Sequence, residues 1–279
     1  MFRRAAPPKT SDYESTRYWR ELHRQGDDVR VVGYPTLPLA FNRRLYNNQA
    51  AAVRRTLEHA GVRIDGASVL DVGSGTGFWL DLWQRLGAST VAAVELVPEA
   101  VGRLRERFPE SDVAAADVSD GPPFPGRTFD VVSAMAVLLH VTDPERWRSA
   151  LAALEEQLAP GGAIVLLEPV AVARHRLDRG ESEHNTVRTL ADWERALAVA
   201  GLQIVAVRPA TILLSDPVDA RTRAGLAARL LWWRMLARLL RGRERLASLL
   251  VPPLAMLDRA LAATSPVGPS AKCVVIRRA

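Results

Sequence analysis

Residues 69–77 read VLDVGSGTG, and no other stretch restricts the fold of this chain so strongly. Val69, Leu70 and Val72 form a short apolar run, broken only by Asp71, of the kind that ends a buried parallel strand. Gly73, Gly75 and Gly77 then alternate, and Phe78, Trp79 and Leu80 open a helical pattern. Glycine serves where a chain reverses tightly and where backbone must approach a ligand with no Cβ in the way. A strand, a glycine turn and a helix N-terminus in that order make a nucleotide-type site at the carboxyl edge of a sheet. The spacing departs from the dinucleotide fingerprint G-x-G-x-x-G, because the third glycine falls at Gly77 and position 78 is Phe.

Composition sets outer bounds. With 279 residues, 48% of them apolar, the chain can bury one large domain or a domain with a sizeable insertion. The single cysteine, Cys273, excludes a disulfide framework and a cysteine zinc site. The basic start, MFRRAAPPKTSDYES, has no apolar run after it, so no secretory signal is expected. The longest uncharged apolar stretch is the twelve residues 246–257, short of the roughly 20 that a spanning helix needs. These features predict a cytoplasmic protein without a transmembrane span. The net charge of +6 permits an anionic partner without demanding one.

Strand and helix patterns alternate along the chain. Residues 1–12 read as a loose tail, and residues 39–60 as a helix stopped by Gly61. After the glycine loop, strands are expected at 90–94, 113–116, 129–135, 163–167, 203–208 and 272–277. Helices are expected at 78–86, from Pro98 onward, at 143–158 and at 190–200. This alternation predicts an α/β fold with a doubly wound sheet. Glu95 closes the second strand 18 residues after Gly77, where a carboxylate accepts two hydrogen bonds from a ribose diol in sites of this topology.

The pattern D-x-G-x-G-x-G, with APGGAIVLLEP at residues 159–169, resembles class I S-adenosylmethionine-dependent methyltransferases of the small-molecule type. The resemblance covers residues 65–208 and the terminal strand. It implies a Rossmann-like seven-stranded sheet whose last strand is antiparallel. A helical cap would precede the sheet and a helical insertion would precede its last strand. In those terms residues 1–60 are tail and cap, 61–209 with 272–279 the methyltransferase domain, and 210–271 the insertion. The cofactor implied is S-adenosyl-L-methionine, held by Asp71, Gly73, Ser74, Gly75, Gly77, Glu95, Leu96, Asp117 and Val118. Asp117 would accept from the adenine amine, with the next backbone N–H meeting the ring. The segment before the glycine loop packs across the cofactor in such proteins, so Tyr18, Trp19 and Tyr34 either face the ligand or pin the cap.

Candidates for the acceptor end lie at carboxyl ends of strands. His140 follows the fourth strand, Glu168 ends the fifth, and His184 and Arg188 precede the next helix. His184 and Arg188 share a face if their stretch is helical. His140, His184 and Arg188 are the catalytic candidates, and Glu168 reads as a pocket-wall or structural residue. No [DN]PP[YF] follows the fourth strand, as it would in nucleobase-amine enzymes of this family. No carboxylate cluster stands there either, as in its magnesium-dependent members. The expectation is therefore metal-independent methyl transfer to a small organic molecule, apolar or anionic, with no nucleic acid partner. Two alternatives stay open: a protein of this fold that binds the cofactor without transferring methyl, and an RNA or protein methyltransferase.

The insertion departs most from the plain fold. Residues 221–245 carry eight arginines against one acid, Glu244. At about 100° per residue, Arg234, Arg238, Arg241 and Arg245 share one stripe and leucine and tryptophan cover most of the rest. Such a helix is buried in the domain, forms a contact between subunits, covers the acceptor as a lid or lies on a membrane surface. Pro252 and Pro253 are expected to separate a second helix from a third at 254–263. Residues 221–263 are expected to fold as helices that cover the acceptor side and set substrate choice or subunit contact rather than cofactor binding.

Overall fold

The computed structural model describes residues 13–176 and 184–279, with side chains from Thr16 onward. The tail expected at residues 1–12 lies outside the described residues. Eight helices are described: α1 Tyr13–Arg24, α2 Leu39–His59, α3 Phe78–Arg85, α4 Pro98–Arg107, α5 Pro144–Glu156, α6 Leu190–Val199, α7 Arg223–Leu240 and α8 Glu244–Thr264. The nine strands are β1 Ser68–Val72, β2 Thr90–Glu95, β3 Val113–Ala115, β4 Phe129–Met135, β5 Leu158–Glu168, β6 His175–Arg176, β7 Leu202–Pro209, β8 Asp219–Ala220 and β9 Lys272–Arg278. Short-range chemistry sets many of the boundaries. Asp143 caps α5 by accepting from the N–H groups of Glu145 and Arg146. Thr189 and Asp192 cap α6 reciprocally, and Pro98 starts α4 where its missing N–H costs nothing.

Seven strands form one sheet in the order β3-β2-β1-β4-β5-β9-β7, and β6 pairs with β8 separately. β1 to β5 are parallel, while β9 runs antiparallel between β5 and β7. The order reverses direction at β1 and β4, so the crevice at their carboxyl ends is the ligand position this topology provides. Apolar layers cover both faces. One is built on Val53, Leu57, Trp79 and Trp83, the other on Trp147, Leu151, Trp193 and Leu197. The strand expected at 163–167 begins earlier. Leu158 pairs with Phe129 already, residues 159–162 loop out, and the ladder resumes at Ala163 opposite Val131.

The proline pair does not divide the last helix as expected. α8 runs unbroken through Pro252 and Pro253. A proline frees the carbonyl four residues earlier. Here those carbonyls belong to Ser248 and Leu249, both exposed residues on the outer side of the helix. The resulting 21-residue helix has a mean hydropathy of 1.4 in its most apolar window, of which 28% is buried. By length and composition it reaches the size of a membrane span, which the shorter stretch read from sequence did not. Its inner face is nevertheless docked on α2. Asp258, fully buried there, accepts from the N–H groups of Ile212 and Leu213 and from the Asn48 side chain.

Candidate active site

The loop after β1 is built from backbone outward. Gly73 and Gly75 have φ of 69° and 55°, a region closed to most side chains. The N–H groups of Gly73 and Ser74 both donate to the Val94 carbonyl, and the Ser74 hydroxyl donates to that of Asp71. Beneath the loop the Asp71 carboxylate accepts from Ser133 Oγ at 2.7 Å and Trp83 Nε1 at 3.3 Å. Burial pushes the Asp71 carboxyl up to about 6, and its Oδ2 has no partner.

A cavity of about 440 Å³ opens above this loop, within the size range of small-ligand sites. Gly73, Ser74, Gly75, Glu95, Asp117 and His140 line it, together with the N-terminal cap. The two oxygens of Glu95 accept from the Gly75 N–H at 2.8 Å and the Val97 N–H at 3.0 Å. Each oxygen keeps a second lone pair for a ligand hydroxyl. Burial raises the Glu95 carboxyl, and those backbone donors oppose the rise. One oxygen of Asp117 accepts from the Ser119 N–H and hydroxyl, while the other faces Arg146 at 3.2 Å. Arg146 also meets Asp120 at 3.0 Å.

The far wall of the cavity hangs on Glu168. This fully buried carboxylate accepts from the N–H groups of Val137, Leu138 and Leu139 and so fixes the turn that presents His140. Burial drives Glu168 up to about 8, while the three N–H donors and Arg188 pull it back. Arg188 supports the same turn from below. It donates to the carbonyls of Leu138 at 3.1 Å and Val141 at 2.6 Å, with its guanidinium 4.1 Å from the Trp147 ring centre. His140 Nδ1 lies 2.8 Å from the His184 carbonyl oxygen, which can only accept. Nδ1 therefore carries the proton and Nε2 holds a free lone pair. Burial lowers His140 to about 4, so the ring is neutral.

The cap closes the near wall. Trp19 of α1 meets His140 edge-on at 4.7 Å, and Tyr18 stacks on His184 at 4.5 Å. α1 is tied to α4 by Arg103, which donates to His23 Nδ1 at 3.1 Å, and by the Arg20–Glu99 ion pair. Val32, between α1 and α2, closes on the glycine loop. A Cβ at Gly75 would stand 2.8 Å from Val32 Cγ1, and one at Gly73 would stand 2.4 Å from Val137 Cγ2. The glycines thus let protein as well as ligand approach the loop.

Of the residues the sequence nominated, Gly73, Ser74, Gly75, Glu95, Leu96, Asp117, Val118 and His140 line the cavity. Asp71 and Gly77 do not: Asp71 braces the loop from beneath, and Gly77 packs toward Phe108, just past the end of α4. His184 and Arg188 do not line it either. Residues 185–188 do not form the helix that would put the two side chains on one face, and Arg188 serves the His140 turn. Tyr34 turns outward against Trp233 at 4.8 Å. The insertion is not on the acceptor side as expected, since no described residue of 210–271 lines the cavity. Its helices pack on Leu37, Phe41 and Leu45 instead. Sequence reasoning missed Val32, His23 and Arg146, whose roles arise only from tertiary contact. Among the described residues, no three His, Cys, Asp or Glu side chains gather as a metal site would require.

Comparison with known proteins places this geometry among relatives. Residues 42–207 match a family model described as a methyltransferase domain. A ubiquinone biosynthesis O-methyltransferase of Xanthomonas axonopodis pv. citri is 39% identical over 116 residues, which is 39% of this chain and 47% of the relative. The chain thus spans about half the length of the curated relatives it matches. Among solved structures, a 1,6-didemethyltoxoflavin N1-methyltransferase of Burkholderia thailandensis superposes with a TM-score of 0.56 at 17% identity, over 98% of this chain and 93% of the other. The [4+2]-cyclase SpnF superposes with a TM-score of 0.50 at 19% identity, over 82% and 80%. At these identities the two structures speak for the fold.

Proposed function

Because this chain belongs to the methyltransferase domain family, we propose that its cavity holds S-adenosylmethionine and that methyl passes, without a metal ion, to a hydroxyl of a small organic acceptor. The observation that carries this reading is one cavity lined at one end by the Gly73–Gly75 loop, Glu95 and Asp117, and at the other by a neutral His140. The cradle fits the cofactor chemically. Glu95 offers carboxylate lone pairs to a diol, Asp117 and the Val118 backbone stand where an adenine edge would be read, and Asp71 keeps the loop in shape. The cofactor supplies a sulfonium methyl that is already activated, so the protein's task is alignment and exclusion of water. Trp19 and Val32 supply the exclusion.

His140 supplies the proton acceptor. A base held near 4 takes little from a resting hydroxyl, but an oxygen under methylation becomes strongly acidic and gives its proton to Nε2. The His184 carbonyl holds Nδ1–H and keeps the ring in that tautomer. The O-methyltransferase name of the sequence relatives supports oxygen as the acceptor atom.

The test is calorimetry with S-adenosylmethionine, its demethylated product and a nicotinamide dinucleotide, followed by methyl transfer to a panel of phenols and hydroxyacids in excess chelator. Binding of the first two, and turnover that chelator leaves unchanged, are expected. Tighter binding of the dinucleotide would overturn the cofactor assignment. Turnover restored by magnesium would overturn metal independence, and binding without transfer to any hydroxyl would favour a non-transferring member of this fold.

A further inference from the structure

Of the twelve large apolar side chains exposed among the described residues, eight stand on α7 and α8. Leu249 is 71% exposed and Met256 75%. At about 100° per residue, the exposed Leu231, Met235 and Leu239 form one strip of α7, centred about 120° round the helix from the buried Leu236 and Leu240. Arg234 and Arg238 run along one flank of that strip. Leu249, Met256 and Leu257 stand opposite the buried Ala247, Val251, Ala255 and Asp258 of α8. The apolar face expected to be covered is therefore open, and arginine borders it. Exposed apolar side chains concentrated on one pair of helices mark an interaction surface.

Charge decides what covers it. Neither acid of the two helices is unengaged, although Glu244 is exposed. Asp258 is buried, and the Glu244 carboxylate accepts from the N–H groups of Leu39 and Ala40. Among the described residues, Arg234 and Arg238 form no ion pair with a carboxylate. A second copy docked on this face by two-fold symmetry would bring the same arginines against one another. An anionic bilayer surface matches both features at once, since it attracts arginine at its headgroups and accepts leucine, methionine and tryptophan just below them.

We infer that the outer face of α7 and α8 docks this protein on the surface of an anionic membrane. The helices lie in the plane of the interface, because the inner face of α8 stays on α2 with Asp258 buried in it. This attachment adjoins the site. Tyr34, two residues from Val32, packs its ring on Trp233 of α7 and donates its hydroxyl to Asp216 at 2.6 Å. The segment that closes over the glycine loop is thus held by the helix that meets the lipid.

The experiment is flotation of the full chain with vesicles of phosphatidylcholine alone and of phosphatidylcholine with about 30% phosphatidylglycerol. Two variants accompany it, Leu249→Glu with Met256→Glu and Arg234→Glu with Arg238→Glu, all at exposed positions. Thermal melting verifies their folding, and sedimentation in lipid-free buffer gives their size. The wild type is expected to bind the anionic vesicles at low salt, with at least about tenfold weaker binding to neutral vesicles, to either set at high salt and for each variant. Failure of the wild type to bind at low salt would overturn the inference, as would binding that both variants leave intact. A wild-type dimer that the glutamate variants dissociate would assign the face to a second copy and overturn it too. None of these readouts depends on methyl transfer, so the proposed chemistry stands or falls separately.

Discussion

The glycine-loop end of the sheet and the helical hairpin at its far edge spend their polar groups in opposite ways. Around the loop, Asp71, Glu95 and Glu168 are buried and bound to donors from the loop and the turns beside it. In the hairpin a single buried acid, Asp258, holds the assembly, while arginine and leucine face outward. The first region is a rigid mould whose geometry is set within a few residues of each strand end. The second is a docked body with a free face. Substitution should therefore damage ligand binding in one region and only anchoring or stability in the other.

Two glycines test this most strongly. Gly75 and Gly242 both have positive φ, 55° and 69°. A Cβ at Gly75 meets Val32, whereas one at Gly242 meets nothing within 4 Å. Gly75→Val is expected to cost about 2–4 kcal/mol from backbone strain and crowding together, and to weaken S-adenosylmethionine binding by roughly 100-fold or more. Gly242→Ala should cost only the backbone share, about 1–2 kcal/mol, and leave binding unchanged. Calorimetry on both reads the difference, and equal losses of affinity would erase the distinction between the regions.

His140→Ala comes next. Loss of a positioned proton acceptor lowers kcat by about 10²–10⁴-fold, with cofactor affinity held within about twofold because Glu168 still fixes the turn. The pH profile sharpens the assignment. Folding lowers His140 from the usual 6.5 to about 4, so a neutral ring is present at all pH values well above 4. The acid limb of kcat/KM should fall near 4 to 5 rather than near 6.5. For stability the sign is the same: the folded state binds fewer protons than the unfolded between 4 and 6.5, so this histidine's contribution is lost as pH falls through that window. His23, also lowered to about 4, adds to it.

Glu95→Ala and Asp258→Ala form a matched pair. Each removes a buried acceptor of two or more hydrogen bonds, and leaving such donors unmatched costs about 1–3 kcal/mol. For Glu95 the loss should be read mainly in cofactor affinity, through the ribose contact proposed for it. For Asp258 it should be read only in the urea midpoint, as residues 212–214 lose their acceptor. A fall in cofactor affinity on Asp258→Ala would mean that the hairpin reaches the site through Tyr34 and Val32.

The same contrast explains what was legible in the sequence. The β1 loop, Glu95 and Asp117 were readable because strand, turn and helix are neighbours in the chain, and a strand end fixes where its last side chain stands. His140 was readable for the same reason. Arg188 was misplaced because its direction depends on a segment without helical structure and on Trp147, more than forty residues away. Pro252 and Pro253 misled because their effect depends on whether the carbonyls they free face solvent, which only docking on α2 decides. The side on which the insertion packs was equally hidden. Its apolar pattern says that surface must be covered and is silent on which partner covers it.

The smallest effect is expected at Asp71, and it separates shape from charge within the mould. Burial raises its carboxyl from the usual 3.8 to about 6, so the folded state holds more protons than the unfolded between those values. Stability from this group therefore falls as pH rises through that window, by up to about 3 kcal/mol. Asp71→Asn keeps an oxygen for Ser133 Oγ and Trp83 Nε1 and removes the charge. Its amide nitrogen would take the place of Oδ2, which has no partner now, at a cost of about 1–3 kcal/mol for an unmatched buried donor. The two terms oppose each other at pH 7, so the net change in stability should be within about 1–2 kcal/mol of zero. The variant should lack only the opposing share of Asp71, so its stability should rise more steeply between pH 4 and 6, where His140 and His23 still titrate. It should bind S-adenosylmethionine as wild type does, because Asp71 does not line the cavity. Urea melts at pH 4.5 and 7.5 with calorimetry at 7.5 read all three quantities. A large loss of cofactor affinity with an unchanged melt would put the Asp71 charge in the binding chemistry rather than under the loop.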